Sequence, residues 1–301
     1  MNAEERYFWD LTGYLIVRGV LSAAEIEEVN RALDFAATKV ADTREPTGDS
    51  EELAGSPSRW YHGENLLALP HPHCEPFRRM LAHPQVVQRL VRMCGKGVRL
   101  DHGPQFNNAV KGTQGLILHG AGQPHRPVVA YHHQNGSSLC NGVTVTWNLA
   151  DCPAGGGGFA CVPASHKSKY AVPAGVRNCA DDRGAVVQPE IRAGDILFFM
   201  DGAQTHGTHP WRNEHERRSV LFKYAGRTAV RAHMDLASPE VYWEEEVVDG
   251  MTPEELAVMW GPFPGDHEGL RELVCHEDGT VRLAGDAAAG ADGPRATGGN
   301  E

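Results

Sequence analysis

The chain is short of several things that would have fixed its class at once. In its 301 residues no apolar run approaches the roughly 20 needed to span a bilayer. The opening segment, MNAEERYFWDLTGY, has neither the basic start nor the apolar stretch of a secretory signal, so a cytoplasmic location is expected. Positive charge is scarce: the formal net charge is -11. That argues against nucleic acid as a partner, since phosphates demand a basic surface, and against an anionic membrane surface. The seven cysteines (74, 94, 140, 152, 161, 179 and 275) form no C-x-x-C pair. An odd number without such pairs disfavours a disulfide framework or a zinc knuckle and suits reduced, buried thiols. The glycines Gly155 to Gly158 lack the Lys-Ser/Thr and following helix of a phosphate loop and read as a hairpin turn.

What remains is ordinary globular composition, 41% hydrophobic and 22% charged, enough for one large core. A short amphipathic start, Glu4 to Asp10, precedes an extended run at Tyr14 to Val17. Ser22 and Glu25 form a capping box, and Ile26, Val29, Leu33, Ala36 and Val40 recur at helical spacing. Asp42 to Ser58 is polar, with Pro46, Gly48 and Pro57, and predicts a mobile loop. A second helical region covers Pro76 to Cys94, punctuated at His83-Pro84 and stopped by Gly95. After Gly97 the pattern changes to short β-rich runs: Val98 to Leu100, Val128 to Tyr131, Val143 to Leu149, Gly158 to Val162, Ile196 to Phe199 and Ser219 to Tyr224. Short strands divided by Gly, Pro and Asn turns predict a sandwich or jelly roll rather than alternating β-α units. Period-2 alternation puts Val143, Val145 and Trp147 on one face. Thr252 to Glu255 begins a short helix. Residues 1–283 read as a single domain without internal repeats, and Ala284 to Glu301 as a Gly/Ala-rich disordered tail.

Sixteen histidines, clustered between His119 and His215, justify a search for a metal site. Three segments stand out. Tyr131 to Gly136 (YHHQNG) projects His133 and Asn135 from one strand face and His132 and Gln134 from the other. Gly194-Asp195 turns into an apolar strand that leads to Thr205-His206-Gly207-Thr208. Arg217-Arg218 enters the strand that ends at Tyr224. Two imidazoles and a carboxylate on one face of iron(II) leave positions open for a 2-oxo acid and dioxygen. An arginine fork suits the far carboxylate of 2-oxoglutarate, because it is planar, permanently charged and bidentate.

Gly156 to Lys167 (GGGFACVPASHK) resembles the G-G-[apolar]-x-x-x-P-G-S-H-K segment of the phytanoyl-CoA dioxygenase family, with Ala164 in place of Gly. Phe8 to Leu21 is similar to that family's N-terminal opening, and Gly194 through His206 to Arg217 to its distal-histidine and cosubstrate region. The likeness spans roughly residues 8 to 224, in order. It implies a mainly β fold with flanking helices (α+β), a double-stranded β-helix of jelly-roll, cupin-like type. It also implies an iron(II)- and 2-oxoglutarate-dependent dioxygenase that consumes dioxygen, hydroxylates a small molecule and releases succinate and carbon dioxide. Carried over by position, His133 is the first metal ligand, His206 the distal one, Arg217 the clamp on 2-oxoglutarate, and Thr208 and Trp147 line the cosubstrate pocket. His132 becomes the ligand in the alternative register. Asn135 stands where the family's H-x-D motif has Asp. A neutral amide there opens two further readings, a halogenase with a vacated carboxylate position and a non-catalytic binding protein on the same fold. His119, His125, His209 and His215 read as loop residues, His166 as structural, Asp151 and Asp195 as turn residues, and Arg218 as a solvated neighbour of Arg217. Neither the substrate nor the oligomeric state is legible.

Overall fold

The computed structural model describes residues 1–37, 41–43, 50–56, 59–61, 65–120, 127–168, 170–229, 237–262 and 271–286. Most of the tail and His125 therefore lie outside the described residues. So does much of the loop expected from Asp42 to Ser58. Its described part is anchored: Leu53 is fully buried, and Ser56 bridges to Thr113.

The helices begin where their caps dictate. Asn2 and Glu5 form a capping box ahead of α1 (Ala3–Thr12), which Gly13 ends in the left-handed conformation. Ser22 and Glu25 exchange the same reciprocal bonds ahead of α2 (Ala23–Ala37). The region from Pro76 to Cys94 splits at His83-Pro84 into α3 (Glu75–Leu81) and α4 (Pro84–Met93). Proline opens a helix readily but interrupts one already running. Among the described residues four short helices follow: α5 (Ala174–Arg177), α6 (Pro239–Tyr242), α7 (Glu245–Val248) and α8 (Pro253–Ala257), the last starting where expected, on a Thr252–Glu255 capping box.

The strands are β1 (Tyr14–Val17), β2 (Ala41–Thr43), β3 (Arg59–Tyr61), β4 (Arg99–Ala109), β5 (Leu116–His119), β6 (Tyr131–Gln134) and β7 (Ser137–Cys140), then β8 (Gly142–Asn148), β9 (Gly158–Cys161), β10 (Ile196–Phe199), β11 (His206–His209), β12 (Arg217–Ala225), β13 (Leu273–Cys275) and β14 (Val281–Leu283). A five-stranded sheet runs β1-β10-β8-β12-β4 and a three-stranded sheet β5-β11-β9, all pairings antiparallel. Three two-stranded ribbons complete the set.

The large sheet is buried on both faces, and each face has its own partner. Val143, Val145 and Trp147 of β8, Ile196 and Phe198 of β10, and Val220, Phe222 and Tyr224 of β12 pack with Val29 and Leu33 of α2, Phe77 and Leu81 of α3, and Val86 and Leu90 of α4. Full burial of each large side chain is worth about 1.5–3 kcal/mol, so this helix-covered face carries most of the core. The opposite face, with Ala109, Leu197 and Phe199, meets Phe159 and Cys161 of the small sheet. Two antiparallel sheets packed face to face make a jelly-roll-like sandwich. Its interior also receives the alternate, polar residues Thr144, Thr146, Asn148, Arg217 and Ser219, all buried.

Candidate metal centre and anion cradle

A strand ending on each side of β11 builds the site. Asp195 accepts hydrogen bonds from Arg18 and from the backbone N–H groups of Gly19 and Arg192. It thus completes the turn that launches β10, the role expected of it. Beyond β10 the chain reverses into β11, which opens on His206. There His206 is opposite Cys161 of β9 on one side and His119, the last residue of β5, on the other. The two imidazole rings lie 4.4 Å apart between centroids, tilted by 52°. Phe199 walls the His206 ring at 4.6 Å. Gly120 makes this approach possible. Its φ is +95°, and a Cβ there would fall 2.4 Å from the Gln204 carbonyl oxygen, so only glycine lets β5 end against this backbone.

Both rings are aimed in the same way. His119 Nδ1 lies 3.0 Å from the carbonyl oxygen of Ile117, and His206 Nδ1 2.8 Å from that of Gln204. A ring that donates Nδ1–H to a fixed carbonyl presents its Nε2 lone pair elsewhere, the usual way of orienting a metal-binding histidine. His206 Nε2 is 3.7 Å from Asp201 Oδ1, close to the spacing of two ligands on one ion, and Lys223 Nζ is 3.6 Å from the same oxygen. Burial drives the pKa of His206 down to about 4, so its imidazole is neutral and able to bind metal at physiological pH. His206 and Asp201 are buried, whereas His119 is exposed, leaving one side of the corner open.

Arg217 enters β12 on the inward face, buried to 5% exposure. Its Nη1 lies 3.3 Å from Asn107 Oδ1, the Cys152 thiol stands beside it, and its Nε is buried with no hydrogen-bond partner. No carboxylate pairs with it among the described residues. A permanently charged group in such a place is costly unless an anion joins it. Gly158 leaves the room: a Cβ on it would sit 3.2 Å from Arg217 Nε. Farther along the same face, Thr144 Oγ1 is also buried without a partner, and Thr144 is opposite Lys223 in the β8–β12 register.

The site therefore joins donor types that iron(II) takes to a guanidinium that suits a dicarboxylate, although His119, His206 and Asp201 do not bring three ligand atoms within 4.8 Å of one another. It differs from the sequence expectation in three places. His133 and Asn135 are not at this corner but on the β6–β7 hairpin. There His133 Nδ1 lies 2.7 Å from Ser138 Oγ, and the ring lines a separate cleft of about 390 Å³ with Asp10, Tyr131, His166 and Lys167. Asn135 (φ 52°) and Gly136 (φ 75°) are both left-handed, as a two-residue type I′ hairpin requires. His132 is exposed, with Nε2 on the Pro127 carbonyl. The imidazole that meets His206 is His119, which the sequence pattern places in a loop and which ends β5. Trp147, expected in the cosubstrate pocket, lies on the helix-facing side of β8, edge-on to His83 at 5.3 Å. The alternation that grouped it with Val143 and Val145 is correct, but that face packs on α2–α4. Thr208 shares the inward face of β11 with His206, and its hydroxyl accepts from Leu116 N–H. His166 donates from Nε2 to the Asp10 carbonyl, and Arg218 turns away to Glu216 and Asp34.

On this jelly-roll-like sandwich two carbonyl-anchored imidazoles, a carboxylate and a buried guanidinium supply the side-chain types that a metal and an anionic cosubstrate require. Residues 9–219 match the phytanoyl-CoA dioxygenase (PhyH) family, and the chain belongs to that family, whose members are iron(II)- and 2-oxoglutarate-dependent enzymes. Among solved structures it is similar to HygX from Streptomyces hygroscopicus with nickel, 2-oxoglutarate and hygromycin B bound. That match has a TM-score of 0.62 and 20% identity over 79% of this chain and 93% of HygX. The epimerase SnoN, in complex with Fe3+, alpha ketoglutarate and nogalamycin RO, aligns with a TM-score of 0.55 and 20% identity over 87% and 95% of the two chains. The carbocyclase SnoK from nogalamycin biosynthesis gives 0.54 and 17% over 88% and 94%. At these identities the likeness is one of fold. No curated protein matches the chain in sequence. No helix among the described residues is long and apolar enough to cross a membrane.

Proposed function

We propose that this protein is a cytoplasmic oxygenase, built on a double-stranded β-helix, that hydroxylates a small molecule. In this reading His119, His206 and Asp201 hold iron(II) and Arg217 holds the distal carboxylate of 2-oxoglutarate. The observation that carries it is the pairing of His206 with His119, both with Nδ1 on a main-chain carbonyl, on the same sandwich as a buried arginine that faces no carboxylate among the described residues.

Iron with 2-oxoglutarate and dioxygen supplies oxidation of a substrate C–H bond coupled to decarboxylation of the oxo acid to succinate. The chain supplies the rest. His206, neutral because it is buried, offers Nε2 without first losing a proton. Asp201 contributes negative charge, which Lys223 balances until a cation arrives. Arg217 fixes one end of the cosubstrate so that its oxo-acid end is directed toward the ligand corner. Phe199 and Phe159, 4.9 Å apart, keep water from one flank of the interior, and the exposed side of His119 leaves an approach for substrate. Thr208, on the face it shares with His206, lines the same interior.

The halogenase and binding-protein readings both took Asn135 for a replaced ligand. At the tip of a hairpin it lends support to neither. That solved structures of similar fold contain hygromycin B or nogalamycin favours a functionalised small molecule over a macromolecule as substrate.

The test is anaerobic titration of the iron(II)-loaded protein with 2-oxoglutarate, followed by admission of oxygen. A metal-to-ligand absorption that appears with the oxo acid, and succinate that forms only with oxygen, are expected. Absence of 2-oxoglutarate binding in iron-loaded protein would overturn the assignment.

A further inference from the structure

The segment His71-Pro72-His73-Cys74-Glu75 runs into α3, away from the sandwich interior, and brings three different ligand types to one point. His71 Nδ1 lies 2.8 Å from Glu75 Oε1 and 3.6 Å from Cys74 Sγ. Ligand atoms of all three residues fall within 4.8 Å of one another. In the metal-free protein Nδ1–H donates to the Glu75 carboxylate, and the Cys74 thiol, which carries a hydrogen of its own, lies beside the same ring nitrogen. A cation at the centre would accept electron pairs from all three.

We propose that His71, Cys74 and Glu75 form a second metal site, for a zinc-class divalent ion, independent of the iron-binding corner. With zinc–sulfur bonds of about 2.3 Å and zinc–nitrogen bonds of about 2.0–2.1 Å, a tetrahedral N···S edge is about 3.6 Å. The Nδ1···Sγ separation already has that length. The corresponding N···O edge is about 3.3 Å, and the His71 and Glu75 side chains, 58% and 44% exposed, have the freedom to open by the few tenths of an ångström required. Cys74 is fully buried, so the sulfur is a fixed, solvent-shielded anchor, and the exposed side leaves the fourth position to water. The mixture of sulfur, imidazole and carboxylate favours zinc or cobalt over magnesium or calcium. Binding converts the Cys74 thiol to thiolate and releases its proton to solvent. The site clamps the start of α3, which packs on α2 and α8, and it does not depend on the oxygenase reading.

The experiment is titration of the reduced, full-length protein with Co2+, following the near-ultraviolet sulfur-to-cobalt absorption. One equivalent is expected to develop that band, with zinc displacing it. Cys74→Ser should abolish the band, and His71→Ala, a change at an exposed position that leaves the fold intact, should weaken cobalt binding at least tenfold. Iron-dependent binding of 2-oxoglutarate should be unchanged in both variants. A wild-type protein with no sulfur-to-cobalt band, or a band that survives either substitution undiminished, overturns the proposal.

Discussion

Lys223 Nζ lies 3.6 Å from Asp201 Oδ1, the oxygen that faces His206 Nε2 at 3.7 Å. The ammonium thus stands where it competes with a metal ion for the same carboxylate. Lys223→Met should raise iron(II) affinity several-fold by freeing that oxygen, and Asp201→Asn should lower it by about tenfold or more. Equilibrium dialysis of the two variants against iron(II) without oxygen reads both effects. Equal affinities would mean that Asp201 is not a ligand.

The two candidate first histidines are separable. His119→Ala should reduce oxygen-dependent succinate formation by about a hundredfold or more, since a direct ligand counts for more than its supporting shell. His133→Ala, on the outer hairpin, should leave it within about twofold. The reverse result in a 2-oxoglutarate turnover assay would return the ligand role to the β6 strand.

Arg217 makes a two-sided prediction. Arg217→Met should weaken 2-oxoglutarate binding on the order of a hundredfold, the cost of removing one partner of a desolvated charge pair. The same change should leave the cosubstrate-free protein no less stable in urea, because it removes a buried cation that no carboxylate among the described residues neutralises. Loss of stability with unchanged cosubstrate affinity would assign the arginine a purely structural role.

Buried imidazoles set the acid limit. Burial holds His166 and His206 at a pKa of about 4, below the unfolded value near 6.5. Above pH 6.5 folded and unfolded chains are both neutral at these positions. Between 6.5 and 4 the unfolded chain gains the proton first, so stability falls as pH falls, by about 2 kcal/mol per group from pH 7 to pH 5. Urea melts of the metal-free protein at the two pH values should show this slope, reduced in His166→Asn. A flat profile in the unmodified protein would contradict it.

The sequence carried the parts of the fold whose causes are local. The capping box at Ser22, the helix start at Thr252, the break at His83-Pro84 and the turn at Gly194-Asp195 depend on near neighbours, and each element starts or stops where they indicate. His206 and Arg217 were picked out by the likeness of Gly194 through Arg217 to the family's distal-histidine and cosubstrate region. His119 was not. Its strand offers only Leu116, Ile117 and Leu118 before it, too few for a period to show, and its partnership with His206 is made by pairing of distant segments. The one local cue was Gly120, whose need becomes plain only when the Gln204 carbonyl is seen behind it. Asn135 is ambiguous for the opposite reason: the same Asn-Gly pair suits a coordinating position and a tight turn, and the chain makes the turn there. Trp147 shows a third limit. Alternation sorts side chains into two faces, but which face looks on helices and which on the second sheet is decided by tertiary packing.

The orientation of the His119 and His206 rings, the proposed ligands, is entrusted to the peptide bonds of Ile117 and Gln204. Every amino acid has that oxygen, so no single replacement at those two positions deletes it. A centre aimed in this way is sheltered from mutation at its supports, and its vulnerable points are confined to the ligands themselves and to the strand pairing that holds them side by side.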